Sequence, residues 1–119
     1  MMEAPIEQEP MRVLSHSARL WPVDRKRNIE HHFSLPEGVT HLRVVLEWHP
    51  RAVPGIAGTN DLSLTLFDPG GARGAGHNRP NSTIELSATR ATPGYLPGPL
   101  PAGQWLVVLD THMIVAPLT

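Results

Sequence analysis

The sequence predicts an all-β protein, an antiparallel β-sandwich of about six to eight strands joined by proline- and glycine-rich loops. Several short segments alternate apolar and polar side chains with the period of a half-buried strand. The chain holds 13 prolines and 10 glycines in 119 residues, and many lie between those segments, where they favour turns. No segment keeps a helical periodicity over the length of an ordinary helix.

The beginning of the chain carries the weakest signals. Residues 1–10 combine charges and prolines with almost no large apolar side chain, which predicts a disordered leader. Residues 11–20 alternate poorly and are interpreted as an edge strand. A turn follows, because Pro22 fixes its own φ and biases Trp21 toward extended backbone. The remainder, 11–119, is predicted to form a single β-sandwich domain, since this length suits one self-sufficient core.

Two strands are predicted on either side of the turn Pro36-Glu37-Gly38. The first covers 29–35, and the second covers 40–49, where alternation is clearest. In the second strand one face carries Leu42, Val44, Leu46 and Trp48. A strand with one apolar and one polar face is typical of an antiparallel sheet that is solvated on one side.

The second half predicts three more strands. These are 61–67, ended by Asp68-Pro69-Gly70-Gly71, then 82–88, and finally 104–109. The last is apolar on both faces and is therefore expected in the centre of a sheet. Residues 70–81 are interpreted as a glycine-rich loop. Residues 89–103 form a long loop that its prolines stiffen and exclude from a sheet interior.

Composition narrows the possible partners and compartments. The net charge is −1 with neutral histidines, which gives no reason to expect binding to nucleic acid or to an anionic membrane. There is no cysteine, so disulfides and thiolate metal sites are excluded. The N-terminus lacks the basic and apolar regions of a signal peptide, and no apolar run approaches the ~20 residues of a membrane span. A cytoplasmic location is expected.

The histidines do not have the spacing of a metal site. None of the seven belongs to a His-x-His pair or a His-Glu-x-x-His helix. His31 and His32 are adjacent and point to opposite faces of a strand, while His41 and His49 lie at opposite ends of the predicted strand 40–49. Surface histidines are therefore favoured over a metal centre.

Other catalytic and binding patterns are equally weak. The glycine loop 70–76 lacks the Gly-Lys-Ser/Thr ending of a phosphate-binding loop and leads into a strand. Asp61, Asp68 and Asp110 end predicted strands, where turn formation is favoured over calcium binding. There is no Gly-x-Ser-x-Gly nucleophile elbow. The prediction is that the chain holds no catalytic residue, cofactor or metal.

The aromatic residues suggest where a partner would bind. Trp48 and Trp105 have the inward parity of their strands and are expected in the core. Tyr95 lies in the proline-containing loop 89–103, which we call the proline loop, and is expected at the surface. The predicted partner contacts are Tyr95, Leu96, Pro97, Pro99 and Leu100.

Three segments resemble known domains. Residues 29–49, Leu-Ser-Leu-Thr-Leu-Phe-Asp-Pro-Gly-Gly at 62–71 and Leu-Pro-Ala-Gly-Gln-Trp-Leu-Val-Val-Leu at 100–109 are similar to jelly-roll sandwiches of the bacterial pre-peptidase C-terminal type. Residues 91–109, with Thr-Pro-Gly-Tyr-Leu-Pro-Gly-Pro-Leu, resemble the N-terminal domain of bacterial PHP-superfamily metallohydrolases of the carbaryl-hydrolase-like group. The likeness covers 11–115.

That resemblance implies that catalysis belongs to a separate C-terminal domain. In the family, this domain carries a multi-histidine metal centre and hydrolyses phosphoester or carbamate-type substrates. The sequence lacks the His-x-His with which that catalytic domain opens, so the resemblance assigns no catalytic residue to this chain. The chain alone is therefore not expected to be an enzyme.

The expected function is that of an accessory or interaction module. The family domain continues into a further strand after a position like Val115, so an open sheet edge is expected here. The partner would be a PHP-type hydrolase domain or a second copy of the chain. Two alternatives remain: a piece of a PHP-like hydrolase completed in trans, and a carbohydrate-binding module.

Overall fold

The computed structural model describes residues 14–76 and 83–119, which form six strands and one turn of 3-10 helix. The helix is Pro22–Asp24. The strands are β1 (Asn28–Leu35), β2 (His41–Val45), β3 (Asp61–Asp68), β4 (Gly71–Ala75), β5 (Thr83–Ser87) and β6 (Gly103–Met113). Because the 3-10 turn is the one helix in these residues, no described helix is long enough to cross a membrane.

The strands form two antiparallel sheets, which confirms the predicted all-β sandwich. One sheet has the strand order β1-β6-β3-β4, and the other pairs β2 with β5. β6 lies between β1 and β3, as its apolar side chains on both faces predict. It extends to Met113, beyond the predicted end at 109.

The main core lies between the two sheets and the proline loop. Leu66 and Trp105 from the larger sheet and Leu86 from the smaller one are fully buried. The other buried members of this cluster are Leu35, Leu64, Ile84, Tyr95 and Leu100. Alternation along β3 directs its even-numbered leucines inward, which confirms the prediction for 61–67.

A smaller cluster connects the two ends of the described chain. Leu20, Leu62, Ile114 and Leu118 are buried together. The backbone of Leu20 pairs with Leu118, and that of His49 pairs with Thr119. Residues 114–119 are therefore held by hydrogen bonds to earlier parts of the chain.

Several predicted elements differ from the structure. Residues 14–19 do not form the predicted edge strand, and Leu20 makes only an isolated bridge, which agrees with the poor alternation of this segment. The predicted strand 40–49 ends at Val45 as β2. Trp48 is half-buried there, and its indole N–H donates to the carbonyl of Asn60 at 2.9 Å. The predicted leader, 1–10, lies outside the described residues.

The predicted glycine loop 70–81 contains a strand. Residues Gly71–Ala75 pair with β3 as β4, with a register shift between Leu66 and Phe67. Glycine and arginine give this segment no strand-like pattern, so its pairing depends on tertiary contacts that the sequence does not reveal. The rest of the predicted loop, 77–81, lies outside the described residues.

Candidate interaction surface

The proline loop is held against β4 by a buried arginine. The side chain of Arg73 is 8% exposed and donates to the Asp68 carboxylate at 3.1 Å. Its other donors reach the carbonyl oxygens of Leu96, Gly98 and Pro99 at 3.1, 3.3 and 2.8 Å. Arginine's planar group with several donors suits this set of acceptors. One side chain thus fixes residues 96–99, and no local sequence pattern distinguishes Arg73 from the other arginines.

The structure divides the predicted partner contacts into two groups. Tyr95 is buried, and its hydroxyl donates to the Leu64 carbonyl at 2.7 Å. The expectation that Tyr95 is exposed is therefore wrong, because its ring fills the core beneath the loop. Leu100 is also buried, whereas Leu96, Pro97 and Pro99 are exposed. Only these last three are accessible at the surface.

The β4 edge of the larger sheet is covered by the same loop. Gly74 pairs with Tyr95, Ala75 N–H donates to the Gly94 carbonyl, and Leu96 N–H donates to the Arg73 carbonyl. A Cβ at Gly74 would lie 2.2 Å from the Gly94 oxygen, so glycine permits this close approach. This edge is not open to another strand.

Within residues 14–76 and 83–119, the opposite edge strand of that sheet, β1, pairs on one side only. β1 is bonded to β6 throughout Asn28–Leu35, and among the described residues no backbone hydrogen bond from another segment reaches it. In an antiparallel ladder, successive residues direct their amide groups alternately to either side. The Arg27 carbonyl accepts from Thr111 N–H, so odd-numbered residues face β6. The backbone groups of Asn28, Glu30, His32 and Ser34 therefore face outward.

This edge lacks the usual protection against pairing. Natural edge strands are commonly short, bulged, or marked by lysine or proline. β1 has eight residues, no register shift against β6, and no lysine, arginine or proline. Its exposed face carries Glu30 and His32, whose side-chain atoms are 3.6 Å apart. We call this exposed side of Asn28–Leu35 the β1 edge.

The smaller sheet has a less favourable open edge. β5 is paired with β2 on one side, and on the other its Glu85 carbonyl accepts from Thr92 N–H. By the same alternation, Arg43 of β2 directs its backbone groups outward. β2 has only five residues, however, and a short strand offers few backbone groups to a partner. The β1 edge is thus the longer and less protected of the two.

Among the described residues, the structure brings no three metal-ligating side chains together. The closest arrangement to a catalytic pair is Ser63 Oγ, 2.6 Å from His112 Nε2 on the outer face of the larger sheet. The neighbouring Asp110 accepts from the Thr65 hydroxyl at 2.8 Å. Ser63 is buried, which limits the access that a nucleophile needs, so this cluster is best explained as polar bonding across β3 and β6.

We expect His31 to make the free energy of unfolding depend on pH. It lies 4.3 Å from His16 between ring centroids. Burial, and secondarily the nearby His16, lower its pKa. The unfolded chain then binds more protons near and below the usual histidine pKa of about 6.5, so the free energy of unfolding should fall as pH decreases through that range.

Chemical denaturation of dilute protein at several pH values between 8 and 5 tests this expectation. His31→Gln should flatten the decline in the free energy of unfolding. His16→Gln should flatten it only in part, because burial is the larger cause of the shift. If wild type and His31→Gln lose stability in parallel, the proposed role of His31 is wrong.

Comparisons with protein-family models, with curated proteins and with solved structures found no match. The likeness to the PHP-associated domain and to pre-peptidase C-terminal jelly rolls therefore depends on the residues quoted in the sequence analysis.

Proposed function

We propose that this chain is an interaction module that binds an extended strand of a partner along the β1 edge. The observation that supports the proposal is the open side of β1, where four successive outward-facing residues offer donors and acceptors to another chain. Addition of a strand to such an edge satisfies these groups and is a common mode of protein recognition.

The proline loop takes a supporting part in this proposal. Arg73 and Tyr95 fix it from beneath, and it closes the β4 edge. Leu96 is 60% exposed and, with Pro97 and Pro99, forms a small apolar surface. A surface of three residues is too small for a stable interface by itself, because specific interfaces bury about 800 Å² on each partner.

The partner classes remain those that the sequence suggests: a PHP-type hydrolase domain or a second copy of the chain. An accessory module of this kind needs no catalytic residue of its own. For the carbohydrate-binding alternative, Tyr95 is buried and cannot offer its ring to a sugar, so this alternative would depend on Trp21, which is 49% exposed.

Amide hydrogen exchange of the dilute protein, followed residue by residue by NMR, tests whether the β1 edge is open. Amides at Glu30, His32 and Ser34 should exchange at least about tenfold faster than those at His31 and Phe33, which face β6. Equal protection of both sets in a sample that light scattering shows to be monomeric would mean that the chain itself covers the edge, and the proposed function would be rejected.

A further inference from the structure

We infer that the strand bound at the β1 edge is β1 of a second copy, which joins two four-stranded sheets into one. The inference rests on the proposed function and names its partner. Its basis is that β1 is complementary to itself in one antiparallel register. That register is fixed by the direction of the backbone groups and by the charges on the strand.

Because side chains alternate between the two faces of a strand, half of the possible registers between the two copies are excluded. A two-fold axis perpendicular to the sheet relates the two copies and places both core faces on the same side. Odd-numbered residues then lie opposite odd-numbered residues of the partner, and even-numbered opposite even-numbered. The axis therefore passes through a residue and not between two. The outward-facing residues are even-numbered, and each must pair with another even-numbered residue of the partner.

Charge and strand length select the register centred on His31. It places Glu30 opposite the partner's His32, and His32 opposite the partner's Glu30. Both side chains are more than half exposed in the single chain. A neutral or a protonated imidazole donates to a carboxylate, so this contact forms in both states.

The neighbouring registers are poorer. Centring on Glu30 places the two Glu30 carboxylates opposite each other, and like charges in this position are destabilising. Centring on His32 pairs Glu30 with the partner's Ser34 and leaves Asn28 opposite the partner's Pro36, which has no amide donor. The His31-centred register instead pairs all four outward residues, with about eight hydrogen bonds between the copies.

Apolar contacts agree with this register. On the core face, Ile29 lies opposite the partner's Phe33, and Phe33 opposite the partner's Ile29. Both side chains are half-buried in the single chain, so pairing would cover apolar surface that β6 and the core leave accessible. Apolar cross-strand pairs of this kind stabilise a sheet.

Engineered cysteines test the register directly, because the chain contains no cysteine. Residues opposite each other lie about 5.5 Å apart between Cα atoms, within disulfide range. The two copies of residue 30, or of residue 32, are offset by two positions along the strands, so their Cα atoms lie about 8 Å apart, which is too far for a disulfide. An equimolar mixture of Glu30→Cys and His32→Cys should therefore cross-link rapidly at pH 8, whereas each variant alone should not. Rapid cross-linking of His32→Cys alone would overturn the His31-centred register.

Charge exchange tests the same contacts without cysteine. His32→Glu places two carboxylates opposite each other in each of two symmetric pairs and should raise the dimer dissociation constant by about 5- to 30-fold. The double variant Glu30→Arg with His32→Glu restores opposite charges and should return the constant to the wild-type value or below. A double variant as weak as His32→Glu would contradict the proposed pairing.

The two proposals fail in distinguishable ways. If the outward amides of β1 exchange rapidly but the cysteine mixture does not cross-link, the β1 edge is open and its partner is a different protein. If the outward amides are already protected in the dilute monomer, both proposals are wrong.

Discussion

Replacement of Arg73 by alanine should reduce the free energy of unfolding by about 3–5 kcal/mol, because it leaves a buried carboxylate and three loop carbonyls without their shared donor. The Asp68 side chain is 13% exposed and, among the described residues, would keep only the bond from the Gly70 amide. The variant also loses the contact of the guanidinium with the Trp105 ring, 5.6 Å from its centroid. Urea denaturation followed by circular dichroism measures the change.

Arg43→Ala is the matched control. Arg43 lies 3.6 Å from Glu85, but both side chains are more than half exposed, and exposed ion pairs contribute at most about 1 kcal/mol. Arg73→Lys should lie between the two, because an ammonium group cannot reach the same set of acceptors as a planar guanidinium. Equal effects of Arg73→Ala and Arg43→Ala would show that Arg73 does not hold the proline loop.

Trp105→Ala should also cost about 3–5 kcal/mol, from lost apolar burial and from the cavity left behind. Trp105 is fully buried on β6, stacks on Phe33 with ring centroids 6.1 Å apart, and donates from its indole N–H to the Pro101 carbonyl at 2.9 Å. The measurement is the same denaturation experiment, with near-ultraviolet circular dichroism to follow the tertiary packing.

Trp21→Ala is the matched control for Trp105→Ala. Trp21 is 49% exposed, and its ring contacts Arg19 at 4.9 Å. Loss of an exposed contact of this kind should cost no more than about 1 kcal/mol. If Trp105→Ala is as mild as Trp21→Ala, then Trp105 does not occupy the centre of the core.

The fold class and most strands were predictable because their side chains alternate. β1, β3, β5 and β6 were predicted within a few residues of their bounds, since apolar side chains at alternate positions, or on both faces in β6, require burial. The central position of β6 followed from apolar side chains on both of its faces. These are local properties that a sequence shows directly.

Two features were not predictable, because each depends on contacts between distant segments. β4 contains two glycines and an arginine among five residues, and it pairs because β3 and the proline loop lie on its two sides. Tyr95 was expected at the surface because its neighbours are prolines. Its burial requires Arg73 to draw the loop onto the core, and no local pattern shows that contact.

The sequence predicted an open sheet edge, but it did not predict which strand forms that edge. An open sheet edge was expected after residue 115, but residues 118 and 119 are paired with Leu20 and His49. Among the described residues, the longer of the two unpaired edges is β1 instead. Sequence alone cannot identify an edge strand, because strand order depends on topology, and β1 lacks the lysine or proline that often marks an edge strand.

The most direct test of the β1 edge is light scattering over a concentration series for three proteins at pH 8. His32→Pro removes an outward donor without interrupting the bonds to β6, and Arg43→Pro makes the equivalent change at the β2 edge. Circular dichroism confirms that all three are folded. Wild type and Arg43→Pro should rise to twice the monomer mass with concentration, while His32→Pro stays monomeric. A monomeric wild type at every concentration, or an unchanged dimer in His32→Pro, would contradict self-association through β1.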